Sequence, residues 1–176
     1  MRSNNRGFIR ITETLNYPSP EVQFNQKIQR VRLRFVFRLN IGLIVNVQRQ
    51  GEHPYCGPNR GLEEISGFTY KPEDFTTEGI RVRLSGWKDM NVPDSVPFML
   101  EIVKDMLKAV REDKKTILVH CHAGYGRTGI VLACYMIFTS TKSVESIVYE
   151  IRKVRSDCIQ KSSQLNYCLT FKDCKK

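Results

Sequence analysis

The sequence lacks an apolar stretch long enough to cross a membrane. Its longest nearly apolar run, residues 129–138, is shorter than the about 20 residues that a spanning helix needs. The first six residues are not followed by the apolar core of a secretory signal. We therefore expect a protein of the cytoplasm or nucleus, where thiols stay reduced.

Paired metal ligands and a disulfide framework are also missing. Zinc sites combine two closely spaced ligand pairs, whereas this chain has one close histidine pair, His120 and His122, and a distant third histidine, His53. The six cysteines are widely scattered, and a chain of 176 residues can build a core without disulfide bonds. The sequence thus predicts no metal and no cofactor. The apolar helical pattern around Cys134 predicts that this cysteine packs in the core.

Acidic residues are too few to balance the basic ones. The chain has 28 lysines and arginines against 18 acidic residues, which gives a formal net charge of +10. Such an excess favours anionic partners, among which a phosphoprotein, a phosphoinositide headgroup, RNA and an acidic membrane surface all qualify. No internal repeat or low-complexity linker is evident, and the length fits one globular domain.

Strand and helix patterns alternate along most of the chain. The β-branched run at residues 42–47 predicts a buried parallel strand, and residues 80–84 and 116–119 predict two more. Apolar residues at helical spacing predict four helices. These cover residues 96–111 after an N-cap at Ser95, residues 128–138, the stretch from a cap at Ser143 to about Val154, and residues 163–174. The alternation predicts a single-domain α/β fold with a mostly parallel central sheet flanked by helices.

Residues 1–40 are less regular. Residues 8–15 alternate weakly, which predicts a short edge strand, and residues 17–20 break it. Beyond them we predict a helix from about Glu21, although residues 30–35 also alternate like a strand. Its arginines are assigned to a solvated face: Arg30, Arg32, Arg34 and Arg38. We predict a divergent N-terminal segment of residues 1–40 that packs on a domain of residues 41–176.

The most informative motif is a glycine-containing turn between a predicted strand and a predicted helix. A helix start offers unpaired N–H groups and the positive end of the helix dipole, which together bind phosphate. A cysteine in such a turn predicts a nucleophile aimed at phosphorus, with the residues that follow it contacting the phosphoryl group. The motif consists of His120, Cys121, His122, Ala123, Gly124, Tyr125, Gly126, Arg127, Thr128 and Gly129.

The residue types of this motif suit a phosphoenzyme mechanism. An ordinary thiol is only about 3% ionised at neutral pH, and a helix N-terminus with a nearby arginine increases that share. Cys121 is the candidate nucleophile, and Arg127 can grip two phosphoryl oxygens with its planar fork. Thr128 can donate its hydroxyl to the sulfur, and His120 can hydrogen-bond within the turn. We call residues 121–127 the cysteine loop.

A phosphoenzyme route also needs a general acid to protonate the leaving group. Asp89 follows the strand at residues 80–84 and is the preferred candidate, with Trp87 as the anchor of a loop that can close. Asp94 is the alternative acid, although a carboxylate there is equally suited to the start of the next helix. We call residues 85–94 the tryptophan loop.

The Cys-x5-Arg-Thr-Gly motif resembles the signature of the cysteine-dependent protein tyrosine phosphatases, in the form of the dual-specificity branch. Residues 46–53, 66–70 and 86–89 are similar to the group called protein tyrosine phosphatase domain-containing protein 1, which is related to the mitotic-exit phosphatases. The resemblance covers residues 42–171. It implies the protein tyrosine phosphatase fold and the roles given above to Cys121, Arg127, Asp89 and Thr128. It further implies that Gln160 and Gln164 belong to a glutamine loop that positions the hydrolytic water.

Several functions remain open at the sequence level. The absence of lysine between Cys121 and Arg127, together with the bulky Tyr125, favours a phosphoprotein over a phosphoinositide substrate. An RNA 5′-triphosphatase shares the loop and the basic charge, but usually has an asparagine where this chain has Gly126. A phosphate-binding module without catalysis is a further alternative. Cys56, in a long loop after the strand at residues 42–47, is a candidate redox partner for Cys121.

Overall fold

The computed structural model describes residues 9–11, 38–54 and 61–174. Within these ranges one sheet has the strand order β1-β4-β2-β3, and every neighbouring pair is parallel. The strands are β1 (Ile9–Ile11), β2 (Ile41–Asn46), β3 (Arg81–Leu84) and β4 (Thr116–His120). The central strands β2 and β4 come from buried apolar runs, whereas the edge strand β3 is partly exposed and carries arginines.

The described helices alternate with these strands. They are α1 (Glu73–Thr76), α2 (Val96–Arg111), α3 (Gly126–Thr139), α4 (Val144–Val154) and α5 (Ser162–Cys174). The predicted α/β class is confirmed, with the four long helices close to their expected bounds. The short helix α1 was not predicted, since four residues carry no periodic pattern. Helix α3 begins two residues earlier than expected, which places Arg127 and Thr128 in its first turn.

Polar caps fix where two of the helices begin. Ser95 Oγ accepts a hydrogen bond from the Phe98 amide at 3.3 Å, and Pro97 lies in the first turn of α2. Ser143 Oγ accepts one from the Ser146 amide at 3.2 Å at the start of α4. Both N-caps were predicted from the sequence, because serine satisfies amides that have no partner inside the helix.

The main core lies between one face of the sheet and the helices. Leu43 and Val45 of β2 and Val119 of β4 face this core, whose centre is α3. Helix α3 is buried on nearly all sides because α2, α4 and α5 surround it. Alternate side chains such as Ile44 lie in a smaller cluster on the opposite face. Cys134 is buried in the main core, as predicted, and burial beside the Cys168 thiol raises the pKa of Cys134.

Much of the N-terminal prediction falls outside the described residues. Strand β1 lies within the predicted residues 8–15, of which residues 9–11 are described, and it pairs with β4. The predicted helix from Glu21 lies outside the described residues, and so do Arg30, Arg32, Arg34 and Cys56. Arg38 is described and is exposed. None of the described helices combines the length and the apolar character that crossing a membrane requires.

Candidate active site

The candidate site lies where three parallel strands end. Strands β2, β3 and β4 are neighbours in the sheet, so the loops that follow them meet at one edge. The loop after β4 is the cysteine loop, and the loop after β3 is the tryptophan loop. The loop after β2, whose described part is residues 47–54, contributes a third side.

The cysteine loop surrounds the thiol with donors. Cys121 is buried, and its Sγ accepts hydrogen bonds from the Gly124 amide and from Thr128 Oγ1, both at 3.2 Å. Gly124 has a φ of 77°, a left-handed conformation that turns its amide toward the sulfur. Both donors stabilise negative charge on the sulfur. The predicted helper role of Thr128 therefore has the required geometry.

The outer side of this loop is held by the segment between α4 and α5. Arg155 Nη1 donates to the Gly124 carbonyl at 3.0 Å, and the Arg155 guanidinium lies 5.4 Å from the centre of the Tyr125 ring. The Ile159 amide donates to the Tyr125 carbonyl at 3.3 Å. Cys158 lies nearby, with its Sγ 3.8 Å from the Gly124 carbonyl, and burial raises the pKa of this thiol to about 11. Cys158 is thus a protonated packing residue.

His120 supports the loop from the end of β4. Its Nε2 lies 2.9 Å from the Tyr70 hydroxyl, and its Nδ1 lies 3.4 Å from the Cys121 carbonyl. Burial lowers the pKa of His120 to about 4, and the positive charge of Arg127 adds to this lowering. The ring is therefore neutral at physiological pH and ties the cysteine loop to Tyr70.

Arg127 is the meeting point of the three loops. The side chain is fully buried, and its Nη1 donates to the Val47 carbonyl at 3.2 Å and to the Trp87 carbonyl at 2.9 Å. Because one nitrogen atom donates to both carbonyl groups, the loops after β2 and β3 must run very close together. A side chain at Gly86 would overlap the carbonyl of Gln48, which explains the glycine before Trp87.

Two carboxyl groups lie against the Arg127 guanidinium. Glu52 Oε2 lies 2.6 Å from Nη1, and Asp89 Oδ1 lies 3.1 Å from Nη2. The buried Arg127 Nε forms no hydrogen bond within the described residues. A phosphoryl group is a natural acceptor for such a donor.

The tryptophan loop brings Asp89 to the site. Trp87 is buried, its Nε1 donates to the Asn91 carbonyl at 3.0 Å, and its ring packs edge-on against Phe98. These contacts fix the base of the loop and leave Asp89 partly exposed beside Arg127. The alternative acid Asp94 is exposed and precedes the N-cap of α2.

Two histidines stack next to Asp89. The rings of His53 and His122 are 3.8 Å apart and nearly parallel, with an interplanar angle of 6°. His53 Nε2 lies 3.4 Å from Asp89 Oδ2. Burial lowers the pKa of His122, and the charges of His53 and Arg127 lower it further, against the opposite effects of Asp89 and Glu52.

The two glutamines lie on the side of the site formed by α3 and α5. Gln164 is fully buried, and its Oε1 accepts from the Gln160 amide at 2.9 Å and from the Lys161 amide at 3.4 Å. Its Nε2 has no hydrogen-bond partner within the described residues. A Cβ on Gly126 would lie 2.8 Å from Gln164 Nε2 and 3.3 Å from Gln160 Oε1. Both glutamine side chains thus face the start of α3.

Sequence reasoning missed Glu52, His53 and Tyr70. The available signal was topological, since residues that follow a buried parallel strand share an edge with the loops of its neighbours. Glu52 and His53 are a charged and titratable pair in the loop after β2, which was predicted to be that kind of strand. Tyr70 carries no such signal, because it contacts His120 across a separation of 50 residues. In the described ranges, no group of three or more histidine, cysteine or acidic side chains is arranged to hold a metal ion.

Comparisons with known proteins agree with this geometry. The family model described as "Protein-tyrosine phosphatase" matches residues 66–172. The chain is 46% identical over 122 residues to "Protein tyrosine phosphatase domain-containing protein 1" of Danio rerio, and 44% identical over 125 residues to that of Mus musculus. These alignments cover 69% and 71% of this chain but only 16% of each relative, so the chain spans about one sixth of the curated relatives' length.

Solved structures share the fold at lower sequence identity. Kinase associated phosphatase (KAP), with its catalytic-site cysteine replaced by serine, superposes with a TM-score of 0.69 at 22% identity, over 90% of this chain and 82% of that one. PTPMT1 in complex with PI(5)P gives a TM-score of 0.68 at 20% identity, over 85% and 86%. From the family model, the relatives and the fold together, it follows that this chain belongs to the protein-tyrosine phosphatase family.

Proposed function

We propose that this chain hydrolyses phosphotyrosine, and also phosphoserine and phosphothreonine, in proteins through a cysteinyl-phosphate intermediate. The observation that carries the proposal is the convergence of three groups at one strand edge. Cys121 Sγ accepts two hydrogen bonds, and Arg127 lies at the start of α3 with Asp89 3.1 Å from its Nη2. Nucleophile, phosphoryl clamp and acid are thereby supplied by neighbouring loops.

In the first step the Cys121 sulfur attacks phosphorus, and the bond from phosphorus to the leaving oxygen breaks. The Arg127 fork and the amides of the cysteine loop hold the phosphoryl oxygens as negative charge shifts onto them. Protonated Asp89 gives its proton to the leaving oxygen, which departs as an alcohol or phenol. The buried Arg127 Nε, which has no acceptor among the described residues, suits this clamp.

In the second step water attacks phosphorus, and the phosphorus–sulfur bond breaks. Asp89, now a carboxylate, takes a proton from the water, and the thiolate is restored with help from the Thr128 hydroxyl at 3.2 Å. In this proposal Gln164 holds the water, and the role is supported by its buried Nε2, which has no partner among the described residues and adjoins Gly126. This cycle requires a reducing compartment such as the cytoplasm or nucleus, since an oxidised sulfur cannot attack.

The substrate class is argued from the composition of the cysteine loop. Residues 122–126 contain no lysine that could hold the additional phosphates of a lipid headgroup. The similar fold of PTPMT1, whose structure contains PI(5)P, makes a phosphoinositide the leading alternative. The net charge of +10 is compatible with an acidic phosphoprotein surface but does not distinguish it from the other anionic substrates.

The test compares the unmodified chain with Cys121→Ser on phosphopeptides, a phosphoinositide and an RNA 5′-triphosphate. We expect phosphate release from phosphopeptides to fall by at least about a thousandfold in the variant, since a hydroxyl is a far weaker nucleophile than a thiolate. Cys174→Ser is the matched control, because Cys174 is exposed at the end of α5. Turnover by Cys121→Ser close to that of the unmodified chain would refute the mechanism, and a preference for lipid or RNA would refute the substrate class.

A further inference from the structure

Two consecutive residues of the loop after β2 contact the two charged groups of the candidate site. Glu52 Oε2 lies 2.6 Å from Arg127 Nη1, and His53 Nε2 lies 3.4 Å from Asp89 Oδ2. The proposed mechanism uses Arg127 and Asp89 but gives His53 no part. The position of His53 therefore needs its own explanation.

The His53 ring is held in one orientation by its surroundings. It stacks on His122 with the ring centres 3.8 Å apart, and its side chain is only 29% exposed. Its backbone has a φ of 53°, a left-handed conformation that is uncommon for residues other than glycine. Such strain persists only where neighbouring contacts stabilise it, and it concentrates at functional sites.

Asp89 has few other partners that could orient it. Its Oδ1 accepts from the Met90 amide at 2.9 Å and faces Arg127 Nη2 at 3.1 Å, while Oδ2 faces His53. A bound phosphoryl group draws the Arg127 fork toward its own oxygens. His53 then remains as the side chain beside the Asp89 carboxyl group. Asp89, His122, Glu52 and Arg127 are the titratable and charged groups of this cluster.

We propose that His53 is a positioning residue that aims the Asp89 carboxyl group through its Nε2 atom, and that stacking on His122 fixes the ring for this task. This proposal rests on the phosphatase activity proposed above. His53 Nε2 and Asp89 Oδ2 are 3.4 Å apart, which is longer than an ordinary N–H···O hydrogen bond. Catalytic hydrogen bonds are often long or poorly aligned in ligand-free enzymes and tighten when substrate binds, so we expect this contact to shorten in the substrate complex.

A double-mutant cycle tests whether His53 acts through Asp89. We expect His53→Ala to lower kcat on a phosphotyrosine peptide by about tenfold, with KM changed by less than about twofold, because the acid is misaligned while the phosphoryl clamp is intact. In an Asp89→Asn background the same substitution should change kcat by less than about twofold. Equal losses in both backgrounds, or no loss in the unmodified one, would overturn the proposal.

His53→Gln is the conservative variant, since its amide N–H can reach the place of Nε2. Alanine and glutamine both carry a Cβ, so the backbone strain at φ 53° is the same in the two variants. A difference in activity between them therefore reports the hydrogen-bond donor of the glutamine side chain. We expect His53→Gln to recover most of the loss, and equal activity of the two variants would count against a role of Nε2.

Gln50→Ala is the control for loop order, because Gln50 Nε2 donates to the Ser66 carbonyl at 3.1 Å in the same loop. This substitution removes a contact that holds the loop but leaves the His53 ring in place. Its effect on kcat should be the same in the unmodified chain and in the Asp89→Asn background. The proposal would be overturned if the effect of Gln50→Ala on kcat disappeared in the Asp89→Asn background as completely as the effect of His53→Ala.

The only tryptophan of the chain gives a readout that does not need turnover. Trp87 is buried two residues before Asp89, so acrylamide quenching of its fluorescence reports release of the tryptophan loop. We expect more quenching in His53→Ala than in Gln50→Ala, and no such difference in the Asp89→Asn background. If the unmodified chain hydrolyses no phosphoester, the proposed function is refuted. If quenching in His53→Ala equals that in the unmodified chain, the positioning role of His53 is overturned, whether or not the chain is active.

Discussion

At the residue scale, His120 shows how a partly buried polar group supports the candidate nucleophile beside it. The Tyr70 hydroxyl at 2.9 Å compensates the ring for lost hydration, so His120 links the end of β4 to a distant loop. Its neutral state is a requirement of this arrangement, because burial and Arg127 both disfavour a positive charge there. Protonation of His120 must therefore oppose folding.

The expected consequence is a loss of stability in acid. The pKa of His120 is lowered to about 4 from 6.5, so between these values the unfolded chain binds more protons and stability rises with pH. As pH falls through this window the folded state should lose up to about 3 kcal/mol from this residue alone. Urea unfolding at a series of pH values measures the slope, which we expect to be shallower in His120→Gln.

In the same unfolding experiment, Tyr70→Phe separates the effect of burying His120 from the effect of its hydrogen bond to Tyr70. Burial is the largest cause of the lowered pKa of His120, and phenylalanine keeps the ring covered. We expect Tyr70→Phe to be less stable at every pH but to keep the slope of the unmodified chain. Identical slopes in the unmodified chain and in His120→Gln would show that other groups dominate acid unfolding.

At the element scale, α3 lies unusually close to the segment before α5. A Cβ at Gly129 would lie 3.1 Å from both the Ile159 amide nitrogen and Ile159 Cγ1, and 3.4 Å from Cys158 Cβ. Ile159 itself has a φ of 60°, which is rare for a β-branched residue. The close approach lets the Ile159 amide reach the Tyr125 carbonyl and so anchors the cysteine loop.

We expect Gly129→Ala to destabilise the protein. Alanine normally favours a helix over glycine by about 1 kcal/mol, but here the added methyl group must push the Ile159 segment away at a cost of about 1–3 kcal/mol. Thermal unfolding should show a lower Tm, accompanied by slower turnover. Asn166→Ala on the exposed surface of α5 is the control and should gain a few tenths of a kcal/mol. A Gly129→Ala protein more stable than the unmodified chain would contradict this account.

The elements differ in how well the sequence predicted them. Helix α2 was predicted closely, because its apolar spacing, Ser95 cap and Pro97 are all local signals. The same holds for β2, whose β-branched run marks a buried parallel strand. Helix α1 has only four residues, and its contacts with β3 could not be inferred from a local pattern. Local signals therefore predicted the long elements and missed those that depend on tertiary packing.

The residues of the candidate site also divide into those that local sequence signals predicted and those that depend on tertiary structure. Cys121, Arg127 and Thr128 lie within eight consecutive residues, so their common loop could be predicted from spacing. The position of Asp89 beside Arg127 followed from the parallel sheet, which brings the ends of β3 and β4 to one edge. The stacking of His53 on His122 depends on a left-handed backbone at His53. No spacing rule in the sequence encodes that conformation.

At the scale of the whole molecule, the dominant property is the net charge of +10. A positive field accelerates the approach of acidic ligands, and salt screens it over a Debye length of about 10 Å at 0.1 M ionic strength. The charge is a property of the whole surface. Its effect should therefore depend on residues that flank the phosphoresidue of a substrate.

We expect kcat/KM on an acidic phosphotyrosine peptide to fall by about tenfold between low and physiological salt. A phosphotyrosine peptide with uncharged flanks has the same reacting group and should lose less than about threefold. Stopped assays over a salt series with both peptides provide the measurement. Parallel salt responses of the two peptides would show that the surface charge has no part in recruiting substrate.

The two carboxyl groups that flank Arg127 have a consequence for the end of the proposed catalytic cycle. Glu52 is a tethered anion that pairs with the guanidinium when no ligand is present, and Asp89 joins it whenever its carboxyl group is ionised. Inorganic phosphate that remains after hydrolysis must compete with them, and they act at a high effective concentration because they belong to the same chain. In the proposed cycle the protein thus contains its own competitor for the product, and departure of phosphate leaves the guanidinium paired with Glu52.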